Sequence, residues 1–270
     1  MSRDLTSRVV VAALLAPIAL AAIWFGGPAL LALGLIACAL ALDELYRMAR
    51  VLRPVPISGF LGGLGMVVAA SLGGIGWTLV VIAALVPVTF LVVAGIAARE
   101  SALTSIAVTI FAAIYVGGGI ASLVALRGLE HPGVDHFGFN VVLAVLLGTW
   151  ASDIFAYFGG RAFGRRRLAP AISPNKTVEG FVIGLAFGAA ACWFTLYRQG
   201  FTTLEALAVA AAVVLAAPLG DLFESFLKRD LGVKDSGTLL AGHGGVLARI
   251  DALLFAAAAA TAVVAALGKG

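Results

Sequence analysis

Long apolar runs, separated by short polar or glycine- and proline-containing breaks, make up most of the 270-residue chain. A helix needs roughly 20 apolar residues to cross the hydrocarbon core of a bilayer. Nine runs reach or approach that length, at approximately residues 9–26, 28–43, 57–75, 77–98, 103–126, 139–158, 178–198, 203–224 and 250–267. None alternates apolar and polar residues with period two, which disfavours a transmembrane barrel. The pattern therefore predicts an all-α, polytopic transmembrane helical bundle.

The composition agrees with a membrane protein, because 62% of the residues are hydrophobic and only 12% are charged. Soluble domains carry about 25% charged residues, so a soluble fold is excluded. The N-terminal run after Arg3 and Arg8 resembles a signal peptide, but it is long and further spans follow, which favours an uncleaved first helix. We expect one integral membrane domain over 1–270, with spans in 1–126 as scaffold and the catalytic spans and cytoplasmic loops in 139–267.

The basic residues are distributed unevenly between the two sides of the predicted bundle. With the N-terminus inside, 15 of the 18 Lys and Arg residues fall in inside segments. Positively charged loops stay on the cytoplasmic side, so we expect a cytoplasmic N-terminus, an outside C-terminus and a site that faces the cytoplasm. Asp43 and Glu44, at a helix end, are expected to be solvated charges that pair with Arg47 or Arg50, and a role in the site is the less favoured alternative.

The first polar segment runs from Thr149 to Gly180. Asp153 lies four residues before Tyr157 on one helix face, and a carboxylate there should face the bundle interior or a cavity rather than lipid. The segment ends in a stretch of capping residues, where Ser173 or Asn175 could cap the next helix. The other polar residues of this short capping stretch are Lys176, Thr177 and Glu179.

This capping stretch has two interpretations. A helix N-terminus together with Lys176 favours a phosphate group, with Thr177 and Glu179 in the first turn of the helix. A plain capped helix start fits the same residues equally well.

The second polar segment runs from Gly220 to Asp251 and is flanked by apolar sequence on both sides. Helical spacing places Asp221, Ser225 and Lys228 on one stripe. The polar and glycine positions that follow are Arg229, Lys234, Asp235, His243, Gly244, Arg249 and Asp251. Clustered carboxylates and bases suit Mg²⁺-nucleotide chemistry, in which hard oxygen ligands hold the metal and cations hold phosphate. The competing interpretation of the bases alone is an ordinary positively charged cytoplasmic loop.

Four pieces of this segment, in order, carry a family resemblance: Ser225-Phe-Leu-Lys228-Arg229, Lys234-Asp235-Ser-Gly, His243-Gly-Gly and Arg249-Ile-Asp251. Together they resemble the signature of CDP-diacylglycerol synthases, also called phosphatidate cytidylyltransferases. The upstream Ser-Pro-Asn-Lys-Thr-Val-Glu-Gly, from Ser173, resembles a second block of that family. The resemblance implies transfer of CMP from CTP to phosphatidate, giving CDP-diacylglycerol and pyrophosphate in phospholipid biosynthesis. It also implies a bacterial inner-membrane location and favours a homodimer, with CTP, phosphatidate and membrane lipid as partners and no nucleic acid.

The resemblance assigns expected roles to individual residues. Mg²⁺ is the implied cofactor, a second cation is left open, and Asp221 and Asp251 are the expected ligands. Catalytic roles are expected for Asp221, Lys228, Asp235, His243 and Asp251. Substrate contacts are expected for Asp153, Ser173, Lys176, Thr177, Ser225, Arg229, Lys234, Gly244 and Arg249. The roles of Asp153 and Asp235 stay open between metal binding, base and support, and His243 either donates to a phosphate oxygen or braces its loop.

Two positions depart from the family pattern. The family has Asp where this chain has Ala248, and usually Pro where it has Ala241. An acid at 248 would lie one turn before Asp251 on the same helix face and would help to bind the metal, so we expect an inactivated variant that retains the fold. Two other classes compete with the transferase: a secondary transporter with Asp153 and Asp221 as coupling carboxylates, and a lipid-binding structural protein.

Overall fold

The computed structural model describes residues 16–95, 101–233, 235–237 and 244–269, and these residues are largely helical. The helices are α1 (Ala16–Phe25), α2 (Gly27–Met48), α3 (Pro56–Gly95), α4 (Ala102–Ala112), α5 (Gly119–Arg127), α6 (Phe137–Phe163), α7 (Val178–Leu196), α8 (Thr203–Asp230) and α9 (Leu247–Ala266). A 3₁₀ turn at Arg50–Leu52 follows α2, and a π-helical turn at Ala113–Gly118 joins α4 to α5. Within the described residues, seven helices are long and apolar enough to cross a membrane, counting α4 to α5 as one. The all-α, polytopic membrane fold is confirmed.

The segments predicted at 57–75 and 77–98 both fall in α3, which is interrupted at Gly73 and Gly74. Gly74 has φ 63° and ψ −153°, a combination that is essentially restricted to glycine. Across this break the two halves pack against each other, since a Cβ added to Gly65 would lie 3.4 Å from Cγ1 of Val81. The first predicted span is represented by α1, and its residues before 16 lie outside the described residues. The count of nine spans and the cytoplasmic N-terminus stay predictions.

The break between α1 and α2 uses the same backbone conformation. Gly26 has φ 61° and ψ −153°, within a few degrees of Gly74. Pro28 follows inside the first turn of α2, where its missing N–H costs nothing because the first turn has no intrahelical acceptor. Two glycine pairs thus end one apolar helix and start the next.

The chain divides into two compact units, of which the first comprises residues 1–125 and 231–249. Its helices pack closely at glycines: a Cβ added to Gly117 would lie 2.8 Å from the carbonyl oxygen of Gly63. A buried polar contact ties α2 to α4, where Tyr46 Oη donates to the carbonyl oxygen of Thr109 at 3.0 Å. Cys38 is a buried free thiol.

The second unit comprises residues 126–230 and 250–270 and carries α6, α7, α8 and most of α9. Helices α6 and α7 meet along a stripe of small residues spaced four apart. Cβ atoms added to Gly180, Gly184 and Gly188 would lie 2.5, 2.6 and 2.7 Å from the carbonyl oxygens of Ala156, Ser152 and Gly148. Such stripes let membrane helices approach at backbone distance. The antiparallel α6–α7 pair is therefore a rigid support for the residues at its ends. The single membrane domain expected from the sequence remains a prediction.

Candidate active site

A short hairpin between α6 and α7 carries the first basic residue of the site. Strands β1 (Arg167–Ala169) and β2 (Ser173–Thr177) pair antiparallel, with Arg167 opposite Thr177. Lys176, in β2, places its Nζ 2.6 Å from Oδ2 of Asp221 in α8. Both side chains are partly exposed. The two polar segments singled out in the sequence therefore meet in this unit.

The hairpin corrects the expected capping of α7. Ser173 and Asn175 lie in β2 rather than at the helix start, because the hairpin pairing draws them into extended backbone. Thr177 is the capping residue, and its Oγ1 accepts from the backbone N–H of Gly180 at 3.2 Å. Glu179 accepts backbone N–H bonds from Arg165 and Arg166 at 3.0 and 3.2 Å. These bonds hold the chain entering the hairpin to the first turn of α7.

Asp251, in α9, is a buried carboxylate with 7% of its surface exposed. It interacts electrostatically with Asp221, Glu224 and Asp153. The approach of α8 to α9 depends on Gly220, since a Cβ added there would lie 3.0 Å from Cα of Ala252 and would overlap the carbonyl of Asp251. A glycine beside Asp221 thus lets two acidic side chains from different helices share one region.

The sequence prediction did not include Glu224, which is 1% exposed and forms an ion pair with Lys228 one turn later in α8. Asp221, Ser225 and Lys228 lie on one continuous helix, as the spacing predicted. Lys228 is partly buried against Glu224. The sequence did contain a signal for Glu224: it follows Asp221 by three residues, a spacing that places both carboxylates on the same side of a helix.

Asp153, in α6, is solvent-exposed and interacts electrostatically with Asp221 of α8 and Lys176 of β2. That these side chains line a cavity, as expected from the sequence for Asp153, stays a prediction. We name the group of Asp153, Lys176, Asp221, Glu224, Lys228 and Asp251 the acid–base cluster.

The other residues singled out from the sequence are more dispersed. In the second unit, Ser225, Ser173 and Thr177 are half-buried and Arg229 is exposed. In the first unit, Asp235 and Arg249 are exposed, and Gly244 has a positive φ of 74°. Ala248 is in the first turn of α9, three residues before Asp251. Lys234, Ala241 and His243 lie outside the described residues.

The acid–base cluster contains hard oxygen donors of the kind that Mg²⁺ prefers. Among the described residues, no three His, Cys, Asp or Glu side chains are arranged to hold a metal ion by themselves. Mg²⁺ sites that act on nucleotides commonly use one or two carboxylates and complete the shell with phosphate and water. Asp221 and Asp251 fit that donor set.

Glu44 was expected to be solvated beside Asp43, and for Glu44 this expectation is wrong. Asp43 pairs with Arg47 at 2.9 Å, as predicted. Glu44 is 2% exposed, and its carboxylate accepts the backbone N–H groups of Val246 and Leu247 at 2.8 and 2.9 Å. Its partners are about 200 residues away in the chain, so helical spacing could not indicate them.

Comparison with known protein families agrees with the family resemblance of the segments 149–180 and 220–251. A model described as the cytidylyltransferase family matches residues 6–267, nearly the whole chain. The chain belongs to the cytidylyltransferase family. The family resemblance expected from the sequence is therefore confirmed.

Individual relatives match a shorter part of the chain. The phosphatidate cytidylyltransferase of Brucella abortus biovar 1 (strain 9-941) is 43% identical over 147 residues, covering 53% of this chain and 52% of the relative. That of Bacillus subtilis (strain 168) is 40% identical over 146 residues, covering 53% and 52%. That of Thermotoga maritima is 48% identical over 130 residues, covering 45% and 47%. The matched stretch spans about half the length of these curated relatives.

Proposed function

We propose that this chain is a phosphatidate cytidylyltransferase of the bacterial inner membrane, with its site on the cytoplasmic side. The observation that carries the proposal is the pairing of Lys176 with Asp221 inside a cluster that also holds Glu224, Lys228 and Asp251. Family membership and the names of the relatives support the same activity. A transporter with coupling carboxylates at Asp153 and Asp221 is less well supported, because two lysines accompany the acids.

In the proposed reaction, a phosphate oxygen of phosphatidate attacks the α-phosphorus of CTP. The bond from that phosphorus to the oxygen that bridges to the β-phosphate breaks, and pyrophosphate leaves with the bond electrons. Both substrates and the leaving group are anions, so the residues must chiefly position the groups and offset their charge. Lys176 and Lys228 are the cluster cations for this task, with Arg229 and Lys234 as further phosphate contacts. Ser225, Ser173 and Thr177 would donate hydrogen bonds.

The carboxylate oxygens of Asp221 and Asp251 would hold Mg²⁺, and binding of a second cation is left open. The ion would supply neutralisation of phosphate charge and of the leaving pyrophosphate. The residues themselves would bind and orient: Lys176 would exchange its contact with Asp221 for a phosphate oxygen, and Lys228 would remain beside Glu224 at the end of α8. Asp153 would supply a further negative charge next to Lys176.

We propose further that Ala248 lowers the activity of this chain. Its position in the first turn of α9 puts it on the same helix face as Asp251, one turn away. A methyl group there supplies no oxygen donor, which leaves the proposed metal with one ligand fewer than the family pattern. The homodimer also remains a proposal that rests on the resemblance.

The test is incorporation of radiolabelled CTP into phosphatidate-containing detergent micelles by the purified chain and by Ala248→Asp. We expect CDP-diacylglycerol to form with Ala248→Asp and to form more slowly, or not at all, with the unsubstituted chain. Equal rates in both would overturn the proposed effect of Ala248. An absence of incorporation and of CTP binding in both would overturn the transferase and favour the lipid-binding or transporter classes.

A further inference from the structure

Glu44, a residue of the N-terminal helices, binds the backbone at the start of α9. Glu44, in α2, lies in the same compact unit as residues 231–249. Its two carboxylate oxygens accept separate hydrogen bonds, Oε1 from the N–H of Val246 at 2.8 Å and Oε2 from the N–H of Leu247 at 2.9 Å. These N–H groups stand at the start of α9, where a helix has donors without intrahelical acceptors. A carboxylate at that end also interacts favourably with the helix dipole.

The same carboxylate also lies against the backbone of Gly237 and Gly245. A Cβ added to Gly237 would lie 2.9 Å from Oε1 and 3.0 Å from Cδ of Glu44, and one added to Gly245 would overlap the carboxylate. Glycine is therefore required at both positions for the backbone to approach Glu44 this closely. Gly237, Gly245 and the first residues of α9 thus all lie against one buried side chain.

We infer that Glu44 is a positioning residue for the proposed transferase site: it holds the backbone at Gly237, Gly245 and the start of α9, the helix that carries Asp251. This inference rests on the proposed function. In this role Glu44 acts through the backbone N–H groups of Val246 and Leu247. Its carboxylate is buried at 2% exposure, so the site has a fixed anchor that solvent does not compete for.

Glu44→Gln tests the anchor, because the amide keeps the size of the side chain but replaces one acceptor oxygen with a donor. Asp43→Asn is the matched control: it is adjacent, and removes only the Asp43–Arg47 pair within α2. Gly245→Ala is a second perturbation, since its Cβ would overlap the Glu44 carboxylate and displace it. Hydrogen exchange of the Val246 and Leu247 amides should accelerate about tenfold or more in Glu44→Gln and Gly245→Ala, since each amide loses its charge-assisted hydrogen bond to Glu44. Asp43→Asn should leave it unchanged.

The kinetic arm uses whichever background, unsubstituted or Ala248→Asp, turns over CTP. Glu44→Gln should raise the KM for CTP about tenfold, whereas a purely structural defect would lower the active fraction and the apparent kcat at unchanged KM. Unchanged exchange, or accelerated exchange with unchanged KM, would overturn the positioning role while the proposed function stands. If neither background turns over CTP, the proposed function fails first and the inference falls with it, which separates the two failures.

Discussion

Lys176 Nζ lies 2.6 Å from Asp221 Oδ2, which joins a two-stranded hairpin to the helix that follows α7. The two residues are separated by the whole of α7, so the contact depends on the tertiary fold. Because both side chains are partly exposed, the ion pair contributes only about 0–1 kcal/mol to stability. The pair instead brings together a cation suited to phosphate and a carboxylate suited to a divalent metal.

Substitution of this pair should change nucleotide binding far more than stability. We expect Asp221→Asn to abolish Mg²⁺-dependent CTP binding, and Lys176→Met to weaken CTP binding about tenfold or more because one charged contact to phosphate is lost. Thermal unfolding in detergent should shift little in both. Titration with labelled CTP, with and without Mg²⁺, measures the effect. Unaltered binding in Asp221→Asn would remove that residue from the site, and Lys176→Arg serves as the charge-preserving control.

The Glu224–Lys228 pair should affect stability more strongly than the Lys176–Asp221 pair, because Glu224 is almost fully buried. Glu224 is almost fully buried, so Lys228→Met would leave a carboxylate without its ammonium partner in a dry environment, at a cost of about 3–5 kcal/mol. The double variant Glu224→Gln/Lys228→Met should recover part of that loss, because neither member of the pair then carries a charge. Unfolding midpoints of the two single variants and the double variant measure the coupling. Strictly additive effects would show that the pair is not energetically linked.

The small-residue stripe between α6 and α7 should not tolerate a single added methyl group. In Gly184→Ala, the new Cβ would lie 2.6 Å from the carbonyl oxygen of Ser152 and 2.8 Å from Cβ of Ala156. The helices must separate to relieve these contacts, which should destabilise the fold by about 1–3 kcal/mol. Gly118→Ala is the control, since its Cβ would meet only Cγ2 of Ile114 at 3.9 Å. A Gly184→Ala protein as stable as this control would contradict backbone-distance packing.

The break within α3 gives a prediction about backbone conformation alone. A Cβ at Gly74 meets no atom within 4 Å, so Gly74→Ala tests only the strain of φ 63°. That strain should cost about 1–3 kcal/mol. Gly76→Ala, two residues later and equally open, should be neutral or slightly stabilising because Ala favours a helix. Equal unfolding midpoints for the two variants would mean that α3 runs through the break as a continuous helix.

Features set by local patterns were predictable from the sequence. Apolar run length predicted the helices, and the glycine pairs at Gly26 and Gly73 marked the breaks. Helical spacing placed Asp221, Ser225 and Lys228 on one helix, and the resemblance brought the segments of Lys176 and Asp221 into one site. These inferences use bilayer thickness, backbone freedom and helical periodicity, all of which act over short stretches of chain.

Features set by partners distant in sequence were not predictable. Glu44 has the same local signal as Asp43, and only its contact with Val246 distinguishes a buried anchor from a solvated charge. Ser173 and Asn175 are typical capping residues, yet strand pairing with β1 draws Ser173 and its neighbours into a hairpin. Glu224 was overlooked beside Asp221 because burial is a property of the packed helix. For Glu44 and Ser173 the deciding contact joins residues that no local pattern connects, whereas for Glu224 the helical spacing was visible and only its burial was not.

The α6–α7 stripe also restricts how a lipid could reach the acid–base cluster. Carbonyl oxygens of α6 lie directly against glycines of α7 at three successive turns, so no gap wide enough for an acyl chain exists along that seam. A double-tailed substrate would have to approach the proposed site from a side other than the α6–α7 seam. The glycines that let α6 and α7 pack closely therefore also close that side of the helix pair to a lipid chain.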